Sequence, residues 1–358
     1  MRFLINLSVS ICAIILTLIV MEGAVRTFTS YWFQQTFRES HQELVIFFGN
    51  CRVSDFRTSQ PSKFFRKADD QLDLLYEHRP SVSGTLFGTQ VKINSYGMRG
   101  EEVEMAKLVG TYRVAVLGDS STFGYGVALG DTFPVLLERK LDERLGGKAE
   151  VFNFGVAGYS TAQELSQLKS KVLQFKPDLI IIAQHLNDIY GTGITSLTPS
   201  SLKRFLAEHS RLFGCFNRGN HLISAKGLPE NKIFRGPYEK IYLDESEARL
   251  DYDPLWKKFG EISKREGIPI VVAPIPILKD LNSEYQYADA HDIVAGLARR
   301  AGLYVIKMNP PEVRYEDDAL SYRANSEDVD HPNTKGNAKW AEIIYNGLAE
   351  QNLLPNEK

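Results

Sequence analysis

The sequence predicts an α/β protein, a parallel sheet with helices wound over both faces. Short, near-continuous apolar runs recur along the chain, as strands buried on both faces require. Stretches with helical apolar spacing alternate with them. The polar residues suited to chemistry fall just behind the runs, where open α/β sheets place their sites.

Taken in order, Tyr112–Leu117 (YRVAVL) is the first strand, followed directly by Gly118. A helix is expected over Thr132–Leu145, where Phe133, Leu136, Leu137, Leu141 and Leu145 share one face. Val151–Phe154 (VFNF) is the second strand, Ala162–Phe175 the second helix and Asp178–Ala183 (DLIIIA) the third strand. Asp253–Arg265, Pro269–Ala273, Ala288–Ala301 and Leu303–Met308 continue as helix, strand, helix and strand. The last helix, Asn337–Leu348, sets Trp340, Ile343, Ile344 and Leu348 on one side. Residues 191–250 break the rhythm with Ser, Pro, Arg and a Phe-Gly-Cys-Phe stretch, and read as an insertion over the sheet's edge or its site.

Ahead of this main domain, placed at 109–355, Phe3–Met21 carries no charge. As a helix it spans about 28 Å, near the thickness of a bilayer's hydrocarbon core. Its exit, Met21-Glu22-Gly23-Ala24-Val25-Arg26, lacks the small-residue pattern of a cleavage site. A transmembrane signal anchor over 1–26 is therefore expected, in preference to a cleaved signal or a core helix. The tail before it is very short and is expected to stay cytoplasmic, which places the body outside, in an extracytoplasmic or periplasmic compartment. Residues 27–108 read as an N-terminal extension without evident chemistry. In it, Tyr31 and Trp32 suit the headgroup level, and Asn94-Ser95-Tyr96-Gly97 reads as a turn.

The 358 residues hold 42 Lys and Arg against 44 Asp and Glu, and 43% are hydrophobic, which excludes wholesale disorder. No basic stripe appears, so nucleic acid is not an expected partner. Cys12, Cys51 and Cys215 form no CxxC, which removes zinc ribbons and thioredoxin-type motifs. Their spacing leaves a Cys51–Cys215 disulfide open.

Behind the first run comes Gly118-Asp119-Ser120-Ser121, behind the second Gly155-Val156-Ala157-Gly158, and behind the third His185-Leu186-Asn187-Asp188. Before the last helix comes Asp328-Val329-Asp330-His331-Pro332-Asn333. A serine hydroxyl attacks only when an imidazole takes its proton, the role open to His331. Asp328, three residues earlier, can fix that imidazole's tautomer, with Asp330 as the alternative. The backbone N–H groups of Ser120 and Gly158 and the Asn187 amide suit an oxyanion. Asp119 is a candidate to bond loop amides near the nucleophile. A metal at Asp328, Asp330 and His331 is disfavoured because no further His or Cys lies at ligand spacing. No cofactor is called for. Gly124-Tyr125-Gly126 with Gly130 misses the dinucleotide-loop spacing by one position. His78, His209, His221 and His291 show no partner signal.

These blocks resemble the SGNH hydrolases, the GDSL-type esterases and lipases. VAVLGDSSTFGYG is similar to the family's first block, with Ser120 as nucleophile. NFGVAGYST is similar to the second, with Gly158 as the oxyanion glycine, and LND to the end of the third, with Asn187 as the oxyanion asparagine. DVDHPN resembles the fifth, giving Asp328 and His331. The blocks fall in family order over about 112–350. The resemblance implies a flavodoxin-like three-layer α/β/α fold and cleavage or transfer of acyl esters. Where the third block has glycine, this chain has His185. The N-terminal apolar run and the Asn94–Gly100 stretch resemble a membrane-anchored bacterial subgroup, some of whose members act on O-acyl groups of cell-surface polysaccharides.

The expected activity is that of a serine esterase acting on O-acyl, including O-acetyl, esters of a small molecule or glycan. An O-acyltransferase for a surface polysaccharide uses the same residues, so the motifs do not separate the two, and it implies a membrane acyl-donor partner. A third reading, an inert scaffold, has no need of the intact Ser120, Asp328 and His331 set.

Overall fold

The computed structural model describes residues 63–68, 74, 76–189, 242, 247–326 and 328–355, together with Thr17 and Val20. Apart from Thr17 and Val20, the expected anchor lies outside the described residues, as do all three cysteines, Tyr31, Trp32, His209, His221 and most of the 191–250 insertion. Among the described residues no helix is long and apolar enough to cross a membrane. Residues 63–196 and 229–358 form one unit, which holds every element below.

Two antiparallel hairpins come first. In one, β1 (Phe65–Lys67) pairs with β2 (Tyr76–His78); in the other, β3 (Val82–Leu86) pairs with β4 (Thr89–Ile93). The Asn94 turn follows, with Asn94 Oδ1 accepting from the N–H groups of Tyr96 and Met98 at 3.0 Å each.

The main sheet then forms from β5 (Tyr112–Gly118), β6 (Ala149–Asn153), β7 (Leu179–Gln184), β8 (Ile270–Pro274) and β9 (Tyr304–Val305). All pairings are parallel, in the order β6-β5-β7-β8-β9. Counted within the sheet, this is the 2-1-3-4-5 order of flavodoxin-like folds, whose direction of winding reverses at the first strand. The three central strands are buried on both faces, as their unbroken Val, Ile, Leu and Ala runs predict.

Helices α1 (Ser120–Phe123), α2 (Phe133–Leu145), α3 (Thr161–Ser170), α4 (Glu247–Glu266), α5 (Ala288–Arg300) and α6 (Thr334–Glu350) complete the unit. α2 packs against α6, with Phe133 edge-on to Trp340 and Asn337 Oδ1 accepting from Phe133 N at 2.9 Å. α4 packs against α3 and α5. The predicted α/β class with a parallel sheet is the one observed.

The structure corrects several boundaries. The second helix stops at Ser170, and Val172–Phe175 continue as a 3₁₀ turn after Lys171 leaves helical dihedrals. The helix expected from Asp253 starts at Glu247 and carries Pro254 inside it. The last helix starts earlier, at Thr334, because Asn333 caps it by accepting from Gly336 N. The fifth strand shrinks to Tyr304–Val305, pairing only with Val271 and Val272 at the sheet's edge.

Candidate active site

The reversal at β5 leaves a crevice at the carboxyl ends of the strands. β5 ends at Gly118, and Asp119 caps the one-turn helix α1, its carboxylate accepting from Ser121 N at 2.8 Å. This lifts Ser120 to the first helical position. Its Oγ lies 2.8 Å from His331 Nε2. The neighbouring Ser121 is fully buried, and its hydroxyl donates to the Asp330 carbonyl at 3.2 Å. Of the two serines, Ser120 is the one that faces an imidazole.

His331 Nδ1 contacts Asp328 Oδ2 at 2.8 Å and Oδ1 at 3.1 Å. Oδ1 also accepts the backbone N–H groups of Asp330 (3.0 Å) and His331 (2.9 Å), so the carboxylate is pinned from three sides. Burial alone would push the Asp328 pKa up, but the hydrogen bond and charge of His331 and these two N–H groups hold it below the ordinary carboxylate value. The loop that carries both residues is closed by Ala324 N donating to His331 O and Asn333 N donating to Tyr322 O.

Behind β6, Gly155 is required by close approach, since a Cβ there would stand 2.4 Å from Phe123 N. Gly158 has φ +78°, and a Cβ there would meet the Tyr76 hydroxyl at 2.8 Å. That hydroxyl donates to Ala157 O at 2.6 Å, and Tyr159 OH donates back to Tyr76 O at 2.7 Å. Asn187 lies in the 3₁₀ turn Leu186–Ile189 behind β7, with its N–H donating to His185 Nδ1 at 3.2 Å.

His185, the chain's departure from the family's third block, is fully buried, and its Nε2 lies 3.4 Å from Asp330 Oδ1. Burial disfavours charge on this ring, and because Nδ1 accepts from Asn187 its proton sits on Nε2, toward the Asp330 carboxylate that pulls its pKa up. Asp330 therefore pairs with His185, and Asp328 with His331. Of the other histidines, His78 is buried with Nδ1 against Gly97 O at 3.1 Å, and His291 is buried with Nε2 against Tyr285 OH at 2.9 Å. Burial lowers their pKa values to about 4 and about 3, so both rings are neutral.

Sequence reasoning found no chemistry in 27–108, yet three side chains from that stretch reach the site. Tyr76 covers Gly158. Arg99 is buried and donates to the carbonyls of Phe123 (2.9 Å), Gly124 and Val127 (2.6 Å), at the far end of the Ser120 turn. Phe87 lies against Tyr125, whose ring stacks on His331. The Phe87-Gly88 pair between two short polar–apolar runs was the one available hairpin signal; Tyr76 and Arg99 had none.

A serine backed by an imidazole and a carboxylate, at the carboxyl edge of a flavodoxin-like sheet, defines the class: a serine hydrolase. The match of residues 116–339 to the GDSL-like Lipase/Acylhydrolase family then makes the chain a member of that family. Among solved structures it is similar to LAE5, an alpha/beta hydrolase enzyme from the metagenome of Lake Arreo, with TM-score 0.44, 14% identity and coverage of 70% of this chain and 99% of that one. A variant of Axe2, an acetylxylan esterase from Geobacillus stearothermophilus, gives 0.43 and 13%, covering 68% and 96%. The lipase Lip_vut3 from a goat rumen metagenome gives 0.42 and 18%, covering 66% and 97%. No curated protein matches the chain.

Proposed function

We propose that the chain is a membrane-anchored, extracytoplasmic serine esterase that removes O-acyl groups, O-acetyl among them, through an acyl-Ser120 intermediate. The observation that carries this is the 2.8 Å contact between Ser120 Oγ and His331 Nε2, with Asp328 behind the same ring.

His331 Nε2 takes the Ser120 proton as Oγ bonds to the acyl carbon, and the carbonyl π pair moves onto oxygen. The Ser120 and Gly158 N–H groups and the Asn187 amide receive that oxyanion, each donor contributing about 3–4 kcal/mol to the barrier's reduction. Collapse expels the alcohol, which takes its proton from His331. Water then repeats the sequence, and Ser120 is released with the free acid. Asp328 keeps the imidazole's Nδ1 protonated and stabilises the imidazolium between the steps.

The uncharged Phe3–Met21 run supports an anchor over 1–26. The organisation proposed with it is an extension over 27–108 and a catalytic domain over 109–355, with 191–250 inserted to shape the substrate site or a partner surface. A glycan or small acyl ester is the substrate class.

The test uses the full chain in detergent beside Ser120→Ala, with a short-chain activated ester and an acetylated oligosaccharide as substrates. Ser120-dependent release of acid supports the esterase reading. Acyl groups moved onto added oligosaccharide, read by mass spectrometry, would reassign the chemistry to transfer. Equal turnover by both proteins would sink the nucleophile.

A further inference from the structure

Tyr125 and Phe87 take no part in the steps above, yet they form a stack that ends on the general base. The Tyr125 ring lies over His331 with centroids 4.0 Å apart and planes 24° apart. Phe87 lies against the same tyrosine at 4.5 Å and 35°, and edge-on to Phe123 at 6.0 Å. Tyr125 is 8% exposed. Its phenol is neutral, because burial and then the Asp328 charge push its pKa up to about 12. Arg99 fixes the main chain on both sides of it, through the carbonyls of Gly124 and Val127.

Phe87 holds this place against its own backbone preference. With Gly88 it forms the two-residue turn between β3 and β4, and the two have φ +52° and +76°. A turn with both central residues at positive φ favours Asn, Asp or Gly at the first position, and a bulky side chain there is an outlier. Strain of this kind is informative when a specific contact accompanies it. Here the contact is the face of Tyr125.

Asp328 grips His331 at one edge, through Nδ1, and a hydrogen bond in the ring plane constrains tipping of that plane only weakly. A ring stacked on the face constrains what the carboxylate leaves free. We propose that Tyr125 is a positioning residue that holds the plane of His331 toward Ser120, and that Phe87, supplied by the N-terminal hairpin, braces Tyr125. The proposal rests on His331 being the base for Ser120.

The discriminating variant is Phe87→Asn in the full chain, since Asn suits positive φ and relieves that strain while it removes the brace on Tyr125 and the edge contact with Phe123. The expected result is a melting temperature close to wild type, with lost packing offset by relieved strain, and kcat lowered about tenfold with KM little changed, the signature of misplaced rather than lost chemistry. Tyr125→Phe keeps the ring and retains wild-type kcat; Tyr125→Leu loses at least as much as Phe87→Asn. Side-chain NMR relaxation of the His331 ring reads its order without any turnover, and order falls in Phe87→Asn and Tyr125→Leu. Should the wild type prove no more active than Ser120→Ala, the esterase reading fails while the NMR arm still decides the stack. A Phe87→Asn protein with kcat within about twofold of wild type, or with an equally ordered His331 ring, overturns the proposal.

Discussion

At the amino edge of the central sheet, Arg113 is fully buried on β5 and its guanidinium is met on every side. Nε pairs with Glu150 at 2.7 Å, Nη1 donates to the carbonyls of Met105 and Phe175, and Nη2 donates to that of Glu104. At the carboxyl edge, Glu164 and Asp188 are just as buried. Yet neither Glu164 oxygen has a hydrogen-bond partner among the described residues, nor has Asp188 Oδ1. Burial, reinforced by the mutual repulsion of Asp119, Glu164 and Asp188, raises the pKa values of Glu164 and Asp188 well above the ordinary range. Charge that is fully satisfied holds a fold together, whereas perturbed carboxyls gather where chemistry is done. One sheet thus keeps its stability at one end and its strain at the other.

The largest test of that division is Ser120→Ala, expected to cut kcat by about 10⁶ while leaving thermal unfolding where it was. A calorimetric scan beside an ester assay checks both halves. Asp328→Asn follows, with a loss of about 10⁴ in kcat, because the amide no longer enforces the productive His331 tautomer.

Arg113→Met inverts the pattern. Removing the guanidinium leaves Glu150 and the carbonyls of Met105, Phe175 and Glu104 without their partner and costs about 3–5 kcal/mol in urea unfolding, while the molecules that remain folded turn over at the wild-type rate. A comparable loss of kcat would mean that the two edges are coupled.

Glu164→Gln is smaller and opposite in sign. Because its folded-state pKa lies above the unfolded one, wild-type stability falls as pH rises past the unfolded carboxylate's value, and the amide escapes that loss. The variant should melt a few degrees higher at pH 8, with the gap closing toward pH 4. A gap that widens on acidification would contradict the raised pKa. Asp328 has the reverse sign: its lowered pKa adds stability above the ordinary carboxylate range, lost only as pH falls through its folded value.

Much of this was legible in advance because the informative signals are local. β5, β7 and β8 announce themselves as Val, Ile and Leu runs, and the Gly118–Ser121, Gly155–Gly158, Asn187–Asp188 and Asp328–His331 groups stand at fixed offsets from their elements. What stayed hidden depends on pairings across long stretches of chain. Nothing beside His185 reveals that Asp330, 145 residues on, would meet it. Likewise nothing in Tyr76, Phe87 or Arg99 reveals that this segment packs on the Ser120 turn, since only the folded backbone brings them there. Tyr125 was visible as an aromatic between two glycines, but its partner was not.

Ser120 and His331 are separated by 211 positions, and the segment that carries His331 is the last before the closing helix. During synthesis, then, Ser120 emerges well before its imidazole partner and lacks it until the segment that carries His331 has followed.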